Sequence, residues 1–303
     1  MANAITLASQ FIPVLDEVYK NASLTSKLDG NPDLVSQGAN ANELVIPMLD
    51  MQGLGDYSRN DGYVKGDVTL TNETVKCNFD RGRMFNVDTM DNIETAGIAF
   101  GRLAGEFIRT KVVPELDAFR FACYAGTAGI SKVDTGADLA DGAAVLAALR
   151  AATTQMDEDE VPFEDRHLFI TPTLDGKIMD LDTTKSREVL SRFATKTLVP
   201  QTRFYTAIDQ KSGGTGEEAG GYSKADNAAD INFMIIHRAA IIQFPKHVAP
   251  KIISPDANQS ADGWKYGYRM VSIASTYKNK LAGIYLHHKA ATTSPDMEDD
   301  AEG

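Results

Sequence analysis

The sequence predicts a mixed α+β fold that combines an extended β-hairpin with a long amphipathic helix. Between residues 64 and 80, apolar and polar side chains alternate with a period of two, which is typical of strands. Directly afterwards, apolar residues from Ile93 to Phe107 recur at the 3-4-3-4 spacing of an α-helix. The rest of the chain mixes strand and helix patterns without the regular repetition of a parallel βαβ sheet.

The composition is that of a folded globular protein. The chain has 303 residues, 43% hydrophobic and 24% charged, which excludes a collagen-like or largely disordered protein. A formal net charge of -12 disfavours nucleic-acid binding through phosphate contacts by the molecule as a whole. The longest apolar run, 233–244, is far shorter than the roughly 20 residues of a membrane span. We recognise no secretory signal, and expect Cys77 and Cys123 to be reduced thiols in the cytosol.

The first 45 residues predict an extended arm with one short helix, because a short apolar pattern gives way to the turn-rich stretch 29–42. The alternating strands that follow, 64–71 and 74–80, are expected to meet at a hairpin tip, TNET, at 71–74. A two-stranded ribbon is marginal in water, and no neighbouring strand pattern in the chain offers cover. We therefore expect another subunit to cover it.

The helix after the hairpin is expected to begin at Asp91, with Glu94 completing a capping-box-like pair. Pro114 should kink or end this helix, and a second helical stretch is expected from Glu115 to Tyr124. Its apolar stripe is interpreted as core packing rather than a coiled coil, because the spacing lasts only two heptads.

The second half of the chain predicts further helices and strands around a glycine-rich surface loop. The predicted helices are 141–156 and 186–194, and the loop is KSGGTGEEAGG at 211–221. The predicted strands lie in 166–174, closed by Pro172, in 231–244 as a pair or one long strand, and in 251–253, 264–273 and 279–289. The acidic tail, 291–303, is predicted to be disordered.

One motif in the sequence has the form of a catalytic site. Asp180, Asp182 and Thr184 match the DxDxT pattern of haloacid-dehalogenase-type phosphatases, in which the first Asp is the nucleophile and the second the general acid. That motif should follow a hydrophobic strand near the start of an α/β domain, whereas here it follows GKIM in mid-chain. We interpret it as a turn before the helix at Ser186 and keep a phosphatase as a remote alternative.

Other chemical motifs are missing from the sequence. The glycine-rich segment has neither the GK[ST] ending of a P-loop nor GxGxxG spacing, and there is no GxSxG elbow. No HExxH or i, i+4 helical ligand pair occurs among the five histidines, His167, His237, His247, His287 and His288. On a strand, the adjacent His287 and His288 would point to opposite faces. The sequence therefore predicts no catalytic, cofactor-binding or metal-binding residue and no enzyme.

The order of the segments resembles the major capsid proteins of tailed bacteriophages, whose shared fold is named for phage Hong Kong 97. The resemblance lies in the hairpin segment NDGYVKGDVTLTNETVKCNFDRGRMFNVD (60–88) and the helical segment NIETAGIAFGRLAGEFIRTKVVPELDAF (92–119) that follows it. The strand-and-proline phrases at 166–174 and 231–256 are similar to the family as well. The likeness extends from about Phe11 to Lys289.

The resemblance implies a division of the chain into five parts. These are an N-terminal arm (1–45), an extended E-loop (46–88), a peripheral P-domain with the spine helix (89–135 and 245–275), an axial A-domain (136–244 and 276–290) and the acidic tail (291–303).

The resemblance also implies a function. The protein would be a coat protein, without cofactor, that self-assembles into hexamers and pentamers of an icosahedral phage head around double-stranded DNA. It would be made in the host bacterial cytoplasm and reside in the virion. Its partners would be copies of itself, a separate scaffolding protein, a portal and DNA held non-specifically, with a decoration protein as a further candidate and no membrane.

Two questions stay open within this resemblance. Some family members crosslink a hairpin lysine to a neighbour's asparagine, and Lys65 and Lys76 lie in the corresponding segment. We interpret both as solvated lysines of an exposed ribbon. The alternative function on the same fold is an encapsulin-type nanocompartment shell, against which the long hairpin argues.

Overall fold

The computed structural model describes residues 23–30, 36–37, 43–60, 62–90, 98–133, 135–181, 184–260 and 262–290. The strands of this part of the chain are β1 (Ser36–Gln37), β2 (Glu43–Met51), β3 (Val68–Lys76), β4 (Phe79–Asp88), β5 (Ser131–Lys132), β6 (Arg166–Ile170), β7 (Thr195–Leu198), β8 (Ile208–Gln210), β9 (Tyr222–Lys224), β10 (Ile231–His237), β11 (Ile241–Ile253), β12 (Gly263–Thr276) and β13 (Ile284–His288). The helices are α1 (Ile98–Phe107), α2 (Val113–Ala125), α3 (Gly142–Glu158), α4 (Pro172–Met179) and α5 (Thr184–Ser191), with a π-helical segment, Ile108–Val112, between α1 and α2. This mixture confirms the predicted α+β class.

The strands form three larger sheets and one short hairpin. The five-stranded core sheet has the order β5-β13-β10-β6-β7, and the three-stranded long sheet has the order β11-β12-β4. The third sheet, β1-β2-β3, is called the ribbon below, and β8 pairs with β9. Within the described ranges, no helix is long and apolar enough to cross a bilayer.

The core sheet is covered on both faces. On one face α3 packs through Leu149 against Leu168, and on the other α2 packs through Phe121 against Phe169, with ring centroids 5.1 Å apart. Because both faces are covered, all five residues of β6 are buried, which confirms the buried strand predicted there. Pro172 follows this strand, as predicted, and opens α4.

His287 is a buried neutral group of the core sheet. Its ring stacks on Phe233 at 4.9 Å between centroids, and its Nδ1 lies 3.1 Å from Nδ2 of Asn232, whose amide also donates to the carbonyl of Ala137. Burial, with a smaller contribution from His288, lowers the pKa of His287 to about 4. His287 is buried and His288 half-buried, as expected for neighbours on opposite faces of a strand.

The long sheet packs against the helical run formed by α1, the π segment and α2. β12 pairs antiparallel with β11 along one edge and with β4 along the other. The buried side chains between sheet and helical run are Phe79, Ile108, Val113, Leu116, Tyr266, Tyr268 and Met270. Leu103 and Phe107 of the predicted apolar stripe are partly buried against this cluster, which agrees with core packing for the part of the stripe that the structure describes.

The helical run does not stop at Pro114. α1 ends at Phe107, the π segment follows, and α2 begins at Val113 with the proline in its first turn. The π segment widens the helix, and Pro114, which has no N–H to donate, follows directly after this widened turn. The predicted kink or end is therefore a widened turn, and the predicted start at Asp91 and Glu94 lies outside the described residues.

Several other predicted elements are confirmed. The helix expected at 141–156 is α3, whose first turn is capped by the carboxylate of Asp141, which accepts a hydrogen bond from Ala144 N at 2.7 Å. The segment 231–244 forms parts of two strands, β10 and β11, in different sheets.

The predicted arm before residue 23 and the tail at 291–303 lie outside the described residues.

The predicted hairpin pairing is wrong. The TNET segment, expected at the tip, lies inside β3, which runs unbroken from Val68 to Lys76. β3 pairs with β2, with Glu43 opposite Lys76 and Met51 opposite Val68, so the tip lies at 52–67. The strand predicted at 74–80 is divided, because β4 begins at Phe79 and pairs with β12. Alternation alone gives no partner, and threonine suits an exposed strand as well as a turn.

The first described segment of the chain is fastened to α2 by the buried carboxylate of Asp117. Its Oδ1 accepts hydrogen bonds from the hydroxyls of Ser23 at 2.9 Å and Thr25 at 2.7 Å. Its Oδ2 accepts one from the backbone N–H of Leu24 at 3.0 Å, and Arg203 Nη1 lies 3.5 Å away. Because Asp117 is fully buried, these donors replace the water that a carboxylate requires.

A second buried charge extends this network to the long sheet. Arg120 Nη1 donates to Thr25 Oγ1 at 2.8 Å, and its Nη2 lies 3.1 Å from Asp29 Oδ1. Gln243 of β11 donates to the carbonyl of Thr25 and to Asp29 Oδ1, both at 2.8 Å, and accepts from Tyr124 at 2.7 Å. We call this network the polar clamp; its members are Ser23, Thr25, Asp29, Asp117, Arg120 and Gln243.

Asp117→Ala should destabilise the subunit by about 3–5 kcal/mol, because it leaves the hydroxyls of Ser23 and Thr25 and the backbone N–H of Leu24 without their acceptor and Arg203 without its carboxylate. Urea unfolding followed by the fluorescence of Trp264 measures the loss. Asp180→Ala, at an exposed helix end, is the matched control and should change the free energy of unfolding by less than about 0.5 kcal/mol. Equal midpoints for the two variants would contradict the clamp.

Acidification should destabilise the subunit through His287. Since its pKa is about 4 in the folded chain, against 6.5 for a solvated histidine, the unfolded chain binds the extra proton, and the free energy of unfolding falls as pH falls from 6.5 to 4. His287→Gln should remove up to about 3 kcal/mol of that pH dependence. Some will remain, because burial also lowers the pKa of His167 and His237.

The measurement is a series of urea unfolding curves between pH 4 and 8. Thr154→Ser, at an exposed site on α3, removes no titratable group and should keep the slope of the parent protein. An identical slope in the parent and in His287→Gln would refute the assignment.

Candidate assembly surface

The ribbon carries exposed apolar side chains along its outer half. Met51, Val68 and Leu70, near the far end of the paired strands, are each more than half exposed. At the base, Val75 packs against a buried cluster of β11 and β12 that contains Phe244. Nine residues of extended strand span about 30 Å, so the far end lies well away from this anchored base.

The described residues of the ribbon tip, 52–60 and 62–67, contain a turn closed by backbone hydrogen bonds. Ser58 and Gly62 exchange two backbone hydrogen bonds, with N···O distances of 3.1 and 2.8 Å. Gly62 has a φ of 80°, a left-handed conformation that glycine adopts without strain. The rings of Tyr57 and Tyr63, on either side of this turn, meet edge to face with centroids 4.9 Å apart.

The tip presents its apolar groups to solvent. Leu54 is fully exposed, Tyr63 is 88% exposed, and Val64 is more than half exposed. The missing side chain of Gly55 leaves room for Val64, because a Cβ there would lie 3.2 Å from Val64 Cβ. Single exposed apolar residues are common on proteins, but a cluster of this kind is typical of an interaction site.

A cleft of about 1000 Å³ lies at the other end of the ribbon, between the long sheet, the helical run and the glycine-rich loop. Its apolar lining includes Phe79, Phe85, Leu103, Phe107, Tyr268 and Met270. The rings of Phe85 and Phe107 meet edge to face with centroids 4.8 Å apart. The cleft is therefore a depression lined by aromatic side chains.

Two arginines of β4 hold the glycine-rich loop against this cleft. Arg81 Nη2 donates to the carbonyl oxygens of Lys211 at 2.7 Å and Gly221 at 3.3 Å. Arg83 donates to the carbonyls at 218–219, at 2.5 and 3.0 Å. The loop is exposed, as predicted, but these bonds fix its position as one wall of the cleft.

A half-buried ion pair lies in the lining of the cleft. Arg81 Nε lies 2.8 Å from Glu115 Oε1 on α2. Burial raises the pKa of Glu115, and Arg81 acts in the opposite direction. Burial likewise raises the pKa of Tyr222, in the wall opposite, to about 12. Arg83 and the exposed Lys111 add positive charge to the lining.

The phosphatase-like motif is not brought into a catalytic arrangement by the described residues. Asp180 is an exposed residue at the end of α4, and Asp182 lies outside the described part of the chain. In the phosphatases the first Asp follows a strand, whereas here it follows a helix. The turn interpretation fits this position, with α5 beginning at Thr184.

The remaining candidate groups are dispersed. Lys65 is exposed in the tip and Lys76 is exposed at the end of β3, so both lie on the ribbon. Within the described ranges, no group of three or more His, Cys, Asp or Glu side chains could hold a metal ion. Cys77 and Cys123 are free thiols.

Sequence reasoning missed the tip residues Leu54 and Tyr57 and the loop-holding residues Arg81 and Arg83. A usable signal for the tip was present, because two tyrosines flank a glycine-containing turn in YSRNDGY, residues 57–63. No comparable signal existed for the arginines, whose acceptors lie about 130 residues away in the chain.

No protein-family model and no curated protein matches the chain. Solved structures do match it. The capsid structure of Cyanophage P-SCSP1u is 13% identical and covers 84% of this chain and 85% of its own, with a TM-score of 0.55. The capsid structure of Staphylococcus phage Andhra is 10% identical and covers 87% and 83%, with a TM-score of 0.53. The crystal structure of a virus-like particle from Pyrococcus furiosus is 10% identical and covers 91% and 99%, with a TM-score of 0.55.

These likenesses extend over most of each chain, so they concern the mixed architecture as a whole rather than one element of it. They confirm the fold predicted from the order of the segments. The chain has the Hong Kong 97-like coat fold of tailed-bacteriophage capsid proteins.

Proposed function

We propose that the protein is a major capsid protein that self-assembles into the hexamers and pentamers of an icosahedral phage head enclosing double-stranded DNA. One observation carries this proposal: a coat fold similar to phage capsids bears a ribbon whose apolar tip is exposed in the single chain. Exposed apolar clusters mark interaction sites, and in a homo-oligomer the partner is a further copy.

The parts of the subunit take their proposed roles from this assignment. Residues 1–45 are the N-terminal arm, fastened to the subunit by the polar clamp at 23–30, and 46–88 are the E-loop. Because β4 pairs with β12, the portion of the E-loop free to reach a neighbour is the ribbon. The helical run is the proposed spine of the P-domain (89–135 and 245–275). Four strands of the core sheet, β6, β7, β10 and β13, belong to the A-domain (136–244 and 276–290).

The proposed partners follow from the same assignment. A separate scaffolding protein and a portal would direct assembly, and a decoration protein is a further candidate. The net charge of -12 supports a container that encloses DNA without binding it tightly, since phosphate contacts require excess positive charge. The protein would be made in the host bacterial cytoplasm, would reside in the virion and would catalyse no reaction.

An encapsulin-type nanocompartment shell is the second candidate. It is favoured by the likeness to the virus-like particle from Pyrococcus furiosus, 99% of whose chain is covered. The length of the ribbon favours the phage head. Its paired strands span about 30 Å, whereas encapsulins usually have a shorter E-loop.

Negative-stain electron microscopy tests the shared part of both candidates. The purified protein should form closed shells or ring-shaped capsomers, because the exposed tip finds its cover on other copies. A protein that stays monomeric at millimolar subunit concentration would refute self-assembly. Particles from the native source separate the candidates, since nuclease-protected double-stranded DNA indicates a phage head and an enclosed enzyme indicates a nanocompartment.

Replacing residues 53–66 by Asn-Gly should abolish shells and leave the subunit folded. Gln52 and Asp67 then join β2 to β3 through a two-residue turn, so the ribbon keeps its pairing and loses only its tip. Circular dichroism and the urea midpoint test the fold, and sedimentation tests assembly. Met179→Ser, at an exposed apolar site on α4, is the control and should assemble. Normal shells from the shortened chain would count against the ribbon's role.

A further inference from the structure

We propose that His167 makes the attachment of segment 23–30 to the core sheet sensitive to acid, because protonation of its ring favours detachment of this segment. The device lies within a single subunit and does not depend on self-assembly, so the two proposals can fail separately. His167 belongs neither to the polar clamp nor to the lining of the cleft.

Segment 23–30 covers one face of the core sheet. Leu28 is buried in the cluster that contains Phe169 of β6 and Ile236 of β10. His167 of β6 lies directly opposite Ile236 in the antiparallel pair formed by β6 and β10, and opposite side chains in such a pair share a face of the sheet. His167 is therefore on the face that Leu28 covers.

The ring of His167 has only one of its two nitrogens in a hydrogen bond. The residue is 7% exposed, and its Nδ1 lies 2.8 Å from Thr195 Oγ1 on β7. Its Nε2 is buried without a hydrogen-bond partner in the described part of the chain. A neutral ring can place its uncharged acceptor nitrogen there when Nδ1 donates to the hydroxyl. A protonated ring places an N–H there instead, and a buried charged donor without an acceptor is costly.

The surroundings of this ring disfavour its protonation. Burial is the main cause that lowers the pKa of His167 below its ordinary value of 6.5. Asp165, in the turn before β6, acts in the opposite direction, whereas Arg238, Lys27 and His237 lower the pKa further. An imidazolium is thus disfavoured while the segment that carries Lys27 stays in place.

Detachment of the segment removes part of this penalty. Arg238 Nη2 donates to the carbonyl of Asp29 at 2.9 Å, and its backbone N–H donates to the carbonyl of Asp165 at 3.3 Å. Arg238 thus joins the segment to the turn before β6. When the segment leaves, Lys27 moves away and water reaches the ring, so the pKa of His167 returns toward 6.5.

The direction of the pH dependence follows from linkage. Because the pKa of His167 is lower in the attached state, the detached state binds the proton more tightly. A fall in pH below 6.5 therefore shifts the equilibrium toward detachment. At about pH 7.5 and above the ring is neutral in both states, and the attachment has its full stability.

Hydrogen–deuterium exchange followed by mass spectrometry tests this device in the full-length chain. Backbone hydrogen bonds protect the amides of the segment, such as the bond from Gly30 N to the carbonyl of Gln243 at 2.8 Å. After correction for the intrinsic pH dependence of exchange, this protection should fall about fivefold or more between pH 7.5 and pH 5, relative to the amides of 145–156 in α3. Equal changes in the two segments, or none, would overturn the proposal.

Two variants identify the group responsible. His167→Gln removes the titrating ring and should abolish the difference between the segments. Lys27→Gln, at an exposed site, should lessen the fall in protection about twofold, because the imidazolium meets one positive charge fewer. Lys185→Gln, at an exposed site on α5, is the matched control and should keep the parent response.

The variants can contradict the proposal independently. A parent-like response in His167→Gln would show that another group titrates. Should this buried variant fail to fold, the lysine pair decides, since equal responses in Lys27→Gln and Lys185→Gln would also overturn the device.

Discussion

The buried carboxylate of Asp117 is the contact on which the arrangement of the subunit depends. It ties the segment at 23–30 to α2, and through Arg120 and Gln243 it reaches β11 of the long sheet. α2 itself touches both larger sheets, because Leu116 packs on the long sheet and Phe121 on the core sheet. A helix that carries two sheets must have one fixed orientation, and directional hydrogen bonds to a buried charge define orientation more strictly than apolar packing does.

The charges inside the subunit have partners, whereas the projecting ribbon exposes apolar side chains to solvent. Inside, the buried charges of Asp117 and Arg120 and the half-buried Glu115 each have partners at hydrogen-bond distance or in an ion pair. On the ribbon, apolar side chains such as Tyr63 remain in water. Folding therefore leaves this apolar surface exposed, so the proposed assembly would bury residues other than those that stabilise the fold.

Local patterns predicted the local elements. The buried strand β6 and the helix predicted at 141–156 depend on near neighbours in sequence, and each is present. The apolar spacing of the helical run does so too, and its described residues Leu103 and Phe107 pack on the long sheet. The β2–β3 pairing could not be found this way, because alternation in β3 is compatible with any partner and Pro47 interrupts the strand pattern of β2. The cleft joins β4, the π segment and the loop at 211–221, which lie far apart in the chain, so only the three-dimensional fold reveals it. The coat fold itself was recognisable from the order of the predicted segments, although this chain is only 10–13% identical in sequence to capsid structures with the same fold.

The π segment sets the angular phase of the helical run. One additional residue within a helix rotates everything downstream by about 100°. Upstream of Ile108–Val112, Leu103 and Phe107 face the long sheet, whereas downstream the run presents both Leu116 to that sheet and Phe121 to the core sheet. A regular helix of the same sequence would aim its second half elsewhere. The extra residue thus allows one continuous helical run to pack against both the long sheet and the core sheet, although the two sheets are oriented differently.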